Sequence, residues 1–333
     1  MAERSDNVKK KMYVEGLVEG REVKDKFAVR SRTPPKEYAR GWYFRLMVGD
    51  RTGDISLVYW GGTEEEAVRS IYDRLKVGDV VEVSGMVSSY KGHLQITLNE
   101  EQFHGLVVLD DDAYESEDYM PVTSKNIDQM VAELFTYAES IVNEELCQLV
   151  SIFLEDEDFM SAFKRAPYSK TFCNNYIGGL LEHTLDDVKM CAYTCEVYPE
   201  LERDLLITAA ILHDFGKVYE YETTTSIELT REANLIGHTV ICERVIRDKI
   251  GSIPGFSEEL SLKLSHIILS HHGDYEWGSA RSPRMEEAVA LHHVDLLNVR
   301  LRGFIQAKEE LSEEDSEMIY VSKDGVQRPI FTR

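Results

Sequence analysis

Near residue 110 the chain changes its hydrophobic rhythm, and this break constrains the fold more than any other feature. Before it apolar residues alternate, as in half-buried strands; after it they recur at helical spacing. In 42–48, Phe44, Leu46 and Val48 share one face, and in 55–60, Ile55, Leu57 and Tyr59 do the same. Beyond the break, Met130, Leu134, Tyr137 and Ile141 fall on one face of a helix that Thr123 or Ser124 can cap. The segment between, 106–122, holds the acidic stretch 110–118 and Pro121, and is read as a linker.

The alternating part resolves into short strands with turn residues between them. A mixed apolar run covers 23–31, and Asp50-Arg51-Thr52-Gly53-Asp54 is a turn with the glycine that a tight reversal needs. Thr63 is expected to cap a helix carrying Glu64, Glu65 and Glu66 in its first turn and running to about Leu75. Val77-Gly78-Asp79 leads into a strand over 80–90, and Lys91-Gly92 into a last strand over 93–98. Three strands, one helix and two strands is the order of an OB-fold barrel, here placed over 10–105. The helical part is placed over 123–310. It is interrupted by one β-hairpin within 219–231 and followed by another over 316–333, turning at Lys323-Asp324-Gly325. The fold class expected is therefore an all-β barrel followed by a mainly α-helical bundle with small hairpins.

Charge separates the two parts. Residues 1–105 hold 17 basic and 17 acidic side chains, whereas the remainder holds 20 and 43, so the whole net charge of −23 lies after the barrel. The barrel is thus free to meet a polyanion. The acidity of the rest lies mostly in surface-like runs such as 155–158 and 309–317. No apolar run approaches the ~20 residues that span a bilayer, so no membrane partner is expected. The first residues, MAERSDNVKKK, lack the apolar core of a signal peptide. The odd, sparse set Cys147, Cys173, Cys191, Cys195 and Cys242 suits a reducing compartment, and a cytoplasmic location is expected.

Eight of the ten histidines fall after the linker. Five of them form a series with two aspartates: His183, His213-Asp214, His238, His271-His272 and Asp295, each group on or at the end of a different predicted helix. A bundle can aim such residues at one point. Imidazole with carboxylate suits Mn, Fe, Co, Ni or Zn, and the absence of thiolates excludes a structural zinc finger.

The order His183, His213-Asp214, Asp295 resembles the HD phosphohydrolase superfamily. The resemblance implies that His238, His271 and His272 hold a second cation, with Asp214 bridging two. The longer stretches Ala166-Pro167, GGLLEHT (178–184), LHDFGK (212–217), NLIGH (234–238) and LSHHGDYEWG (269–278) are similar to the YhaM-type 3′→5′ exoribonucleases, which also carry an OB domain before the HD domain. At Phe172-Cys173-Asn174 the family pattern has a histidine pair that this chain lacks. The resemblance implies two divalent transition-metal ions, manganese first among Mn, Fe, Co, Ni and Zn. It implies hydrolysis of single-stranded RNA from its 3′ end to 5′-mononucleotides, with single-stranded DNA and a homo-oligomer left open.

Asp214 and Lys217 are the residues assigned to catalysis. Lys217 follows Asp214 by three residues and can hold the scissile phosphate or protonate the leaving oxygen; the alternative is a solvated lysine. Arg281 and Arg284 can fork onto phosphates or pair with neighbouring acids. In the barrel, Arg30, Arg32, Tyr38, Arg40, Trp42 and Tyr90 are the candidate strand contacts, because OB folds combine a basic groove with aromatic platforms. Two other readings compete: an HD enzyme acting on a small nucleotide or cyclic nucleotide, and a non-catalytic nucleic-acid-binding module. Gly273-Asp274-Tyr275-Glu276 stands where a cyclic-dinucleotide enzyme of the HD-GYP group would carry Gly-Tyr-Pro.

Overall fold

The structure, a computed structural model, describes residues 9–99, 105–309, 318–323 and 326–331. It separates into two compact units, Met1–Val122 with Thr224–Ser226, and Thr123–Thr223 with Ile227–Arg333.

The first unit is an OB-fold barrel. Its strands are β1 (Glu22–Tyr38), β2 (Gly41–Asp50), β3 (Gly53–Trp60), β4 (Val80–Tyr90) and β5 (His93–Asn99), with helix α1 (Glu65–Asp73) between β3 and β4. The long β1 closes the barrel: it pairs with β4 through Glu22–Ala28 and with β2 through Ala28–Tyr38, while β3 and β5 pair in parallel. The alternating residues Phe44, Leu46, Val48, Ile55, Leu57 and Tyr59 all point into the core, and Phe44 stacks on Tyr59 with ring centroids 4.9 Å apart.

Three local expectations change. The first strand does not stop at Ser31 but continues through Pro34-Pro35, where the β1–β2 register shifts between Thr33 and Lys36. Proline cannot donate to a ladder, and an irregularity of this kind is where a strand tolerates it. The cap position of α1 is Glu64, without a side-chain cap, rather than Thr63. Finally, 106–122 is not a free linker: β6 (Leu106–Val108) adds to β4, and Tyr119 is buried against Ala28 and Val80.

The second unit is helical: α2 (Ile127–Glu139), α3 (Glu144–Leu154), α4 (Glu157–Arg165), α5 (Gly179–Val197), α6 (Arg203–Leu212), α7 (Arg231–Ile236), α8 (His238–Ile250), α9 (Glu258–Ser270) and α10 (Glu286–Glu309). Asn126, Asn143, Asp156, Thr230 and Ser257 cap α2, α3, α4, α7 and α9, each accepting the N–H three residues on. A cap of this type contributes about 1 kcal/mol. Asn126 takes the role assigned to Thr123 or Ser124; Thr123 instead donates its hydroxyl to Glu182 at 2.6 Å. Helix α6 is the centre of the unit, with every residue from Leu205 to Leu212 buried. Strands β7 (Tyr221–Thr223) and β8 (Ile227–Leu229) form the inner hairpin. Strands β9 (Met318–Lys323) and β10 (Val326–Phe331) pair in antiparallel register, and the Asp324-Gly325 turn between them lies outside the described residues.

Candidate metal centre

Each element end delivers one part of the site. His183 sits in the first turns of α5, His213 at the C-cap of α6, His238 at the first position of α8, His271 at the C-cap of α9, and Asp295 within α10. Asp214 leaves α6 just before a 3-10 turn, Phe215–Val218. The neighbouring Phe215 anchors it: its ring lies 5.4, 4.8 and 4.9 Å from those of Phe153, Phe159 and Phe163. Aromatic pairs of this kind contribute about 0.5–1.5 kcal/mol each beyond burial, so the His-Asp pair is held by rigid packing. Gly216 lets α8 approach, since a Cβ there would lie 2.2 Å from the His238 carbonyl oxygen. Gly273 adopts φ +83°, and a Cβ on it would lie 2.2 Å from the His292 ring.

The donors form two sets joined by one carboxylate. Among the described residues, donor atoms of His183, Asp187, His213 and Asp295 lie within 4.8 Å of one another, and so do those of His238, His271 and His272. Asp214 stands between: its Oδ2 is 3.7 Å from His183 Nε2 and 3.5 Å from His213 Nε2. Its Oδ1 is 3.5 Å from His238 Nε2 and 3.7 Å from His271 Nε2. All seven residues expected as ligands are thus brought together.

The imidazoles are aimed by their outer nitrogens. Nδ1 of His213, His271 and His272 contacts the carbonyls of Ala210, Ile268 and Trp277 at 2.9, 2.6 and 2.9 Å. Nδ1 of His238 contacts Glu220 Oε1 at 3.1 Å. This fixes each Nε2 toward the centre, the outer contact that metal-bound histidines almost always have. Yet Nε2 of His183, His213 and His271, with Oδ2 of Asp187, Oδ1 of Asp214 and Oδ1 of Asp295, are buried without a hydrogen-bond partner. Orphaned buried polar atoms cost about 1–3 kcal/mol each, more when charged. Such a concentration fits a divalent cation held by N and O donors.

The two sets differ electrostatically. Burial alone would lower the His183 imidazole, but Asp187 and Asp295 carry it up to about 10. Burial opposes ionisation of Asp295, yet His183, His213 and His271 bring it down to about 2. In the other set, burial and the neighbouring His238 push His272 down to about 4, and burial holds His271 well below the usual imidazole range. One set therefore draws positive charge, whereas in the other His271 and His272 favour the neutral imidazole. Asp214 is held well below the carboxylate range, Lys217 and the histidines outweighing its burial.

Asp187 and Glu220 were not anticipated. Asp187 lies one turn after His183 with its carboxylate fully buried, and the i, i+4 spacing on a buried helix face was the available signal. Glu220 resembles any acid of a polar hairpin stretch, and nothing local marks it. Lys217 is buried, with Nζ 3.7 Å from Glu220 and 4.6 Å from the centre of the Tyr168 ring, so it is not a solvated lysine. Arg281 is exposed, while Arg284 lines a separate cavity with Tyr198, Leu201 and His293.

The barrel candidates separate in the same way. Arg32 donates to the Tyr72 and Leu75 carbonyls and covers the Tyr72 ring, and Arg30 pairs with Asp54 at 3.1 Å. Trp42 packs against the barrel core. Tyr90 is 52% exposed, with the Lys91 ammonium 5.5 Å from its ring centre. Tyr38 and Arg40 instead line one cavity of about 650 Å³ together with Trp60 and Asn99, the Tyr38 and Trp60 rings 4.7 Å apart.

These features define an OB-fold domain followed by an HD domain, the class in which histidine and aspartate donors hold divalent metal. Residues 180–300 match the HD domain, and residues 28–103 match the OB-fold nucleic acid binding domain. Over most of its length the chain is similar to proteins named 3′-5′ exoribonuclease YhaM. That of Geobacillus sp. (strain WCH70) is 28% identical over 292 residues, 87% of this chain and 86% of the relative. That of Bacillus subtilis (strain 168) is 28% identical over 269 residues, 81% and 82% of the two chains. No helix among the described residues is long and apolar enough to cross a membrane.

Proposed function

We propose that this chain is a metal-dependent 3′→5′ exoribonuclease that hydrolyses single-stranded RNA to 5′-mononucleotides. The observation that carries the reading is Asp214, which turns one oxygen toward each of two donor sets. His183, His213 and Asp295 would hold one divalent cation, His238, His271 and His272 the other, with Asp214 shared and manganese the first metal to try. When bound, such a pair supplies an activated water nucleophile and stabilises charge on the attacking and leaving oxygens.

The protein's own groups do the rest. The outer contacts of the histidines keep every Nε2 inward, so the donors need no reorganisation. Lys217, kept cationic by Asp214 and Glu220 against its burial, places a fixed positive charge for the scissile phosphate or the leaving oxygen. Tyr38, Trp60 and Arg40 offer a stacking and phosphate-contacting surface for a strand of RNA. The similarity to exoribonucleases across both domains favours RNA over a small nucleotide.

The test is a time course on 5′-labelled single-stranded RNA with Mn²⁺, run with Asp214→Asn alongside. A ladder shortening from the 3′ end, lost in the variant, is the expected result. Intact RNA alongside hydrolysis of small nucleotides would move the substrate and leave the metal chemistry.

A further inference from the structure

We infer that Asp187 is itself a cation donor, so that the centre consists of one carboxylate-rich site and one imidazole-rich site with different metal preferences. The inference rests on the two-cation reading above and extends it to a residue outside the HD series.

Geometry separates a donor from an orienting partner. A carboxylate that orients a metal-bound histidine bonds the outer ring nitrogen, as Glu220 does at His238 Nδ1. Asp187 faces the inner nitrogen: its Oδ2 is 3.1 Å from His183 Nε2 and 3.6 Å from His213 Nε2. The same His183 Nε2 is 3.3 Å from Asp295 Oδ1. Donors sharing one ion at about 2.1 Å stand about 3.0–3.4 Å apart, which is close to these separations. The outer nitrogen of His183 faces Asn298 instead, at 3.2 Å. Asn298 Nδ2 also donates to Asp187 Oδ1 at 2.7 Å, which leaves Oδ2 directed at the histidines and without a hydrogen-bond partner.

The donor sets are therefore unequal. With Asp214 shared, the first has two imidazoles and three carboxylates, whereas the second has three imidazoles and only the shared carboxylate. Carboxylate oxygens suit Mn²⁺ and other hard cations, and imidazole suits Zn, Fe or Ni. Three anionic donors in a buried site also bind a dication more tightly than one. The first site is thus the tighter one for Mn²⁺.

The test is Mn²⁺ binding to metal-free full-length protein, with free ion counted by electron paramagnetic resonance. The wild type is expected to show two classes of site at least tenfold apart. Asp187→Asn weakens the tight class tenfold or more and spares the other, and His272→Ala does the reverse. An Asp187→Asn protein that keeps both classes within twofold overturns the inference while the two-cation reading stands. A wild type that binds no Mn²⁺ overturns both. If the variant loses its cooperative thermal transition, a Mn²⁺-soaked wild-type crystal decides. Asp187 Oδ2 within about 2.3 Å of an anomalous peak supports the inference, and a separation beyond 3 Å overturns it.

Discussion

The two donor sets differ in how the chain builds them. His183, Asp187, His213 and Asp295 stand on or at the ends of three helices, α5, α6 and α10, and all four are buried. His238, His271 and His272 come from one helix start and one helix end beside a glycine, and His272 is only partly covered. The buried set is rich in carboxylates and draws positive charge, while the more open set is built of imidazoles. Asp214 couples them, so the comparison can be broken at Asp214 or sharpened on either side of it.

The largest effect is expected at the shared carboxylate. Asp214→Asn should lower turnover by at least about a thousandfold, the scale of losing metal activation and electrostatic stabilisation together. RNA binding by the barrel should persist, and a filter-binding assay beside the activity assay checks this. Next come the residues that aim each set. Glu220→Gln should weaken the second cation about tenfold or more without touching the first, and Asn298→Ala should do the opposite. Metal content after dialysis reads both, and equal losses from either variant would erase the distinction between the sets. The smallest effect is expected in the barrel. Trp60→Ala should weaken single-strand binding by about 1–3 kcal/mol, raising KM while leaving kcat and metal content unchanged.

Much of this was legible in the sequence because the signals are local. Alternation in 42–60 dictated which side chains enter the barrel, and the histidine series placed seven candidate donors on or at the ends of helices before any geometry was known. What escaped depends on tertiary packing. Pro34-Pro35 argues against a strand until a register shift absorbs it. Among neighbouring barrel aromatics, sequence could not say that Trp42 packs on the core while Trp60 flanks a cavity. Arg32 looked like a phosphate contact and instead secures the end of α1. Asp187 was hidden because its meaning lies in which nitrogen of His183 it faces, and only the folded helix fixes that.

The most direct test of the centre is a stoichiometric one. Metal-free protein is titrated with Mn²⁺ while release of nucleotide from 3′-labelled single-stranded RNA is followed. Two sets joined through Asp214 predict little turnover up to one equivalent, a rise across the second, and a plateau at two. Full activity at one equivalent, or activity indifferent to chelation, would contradict the account.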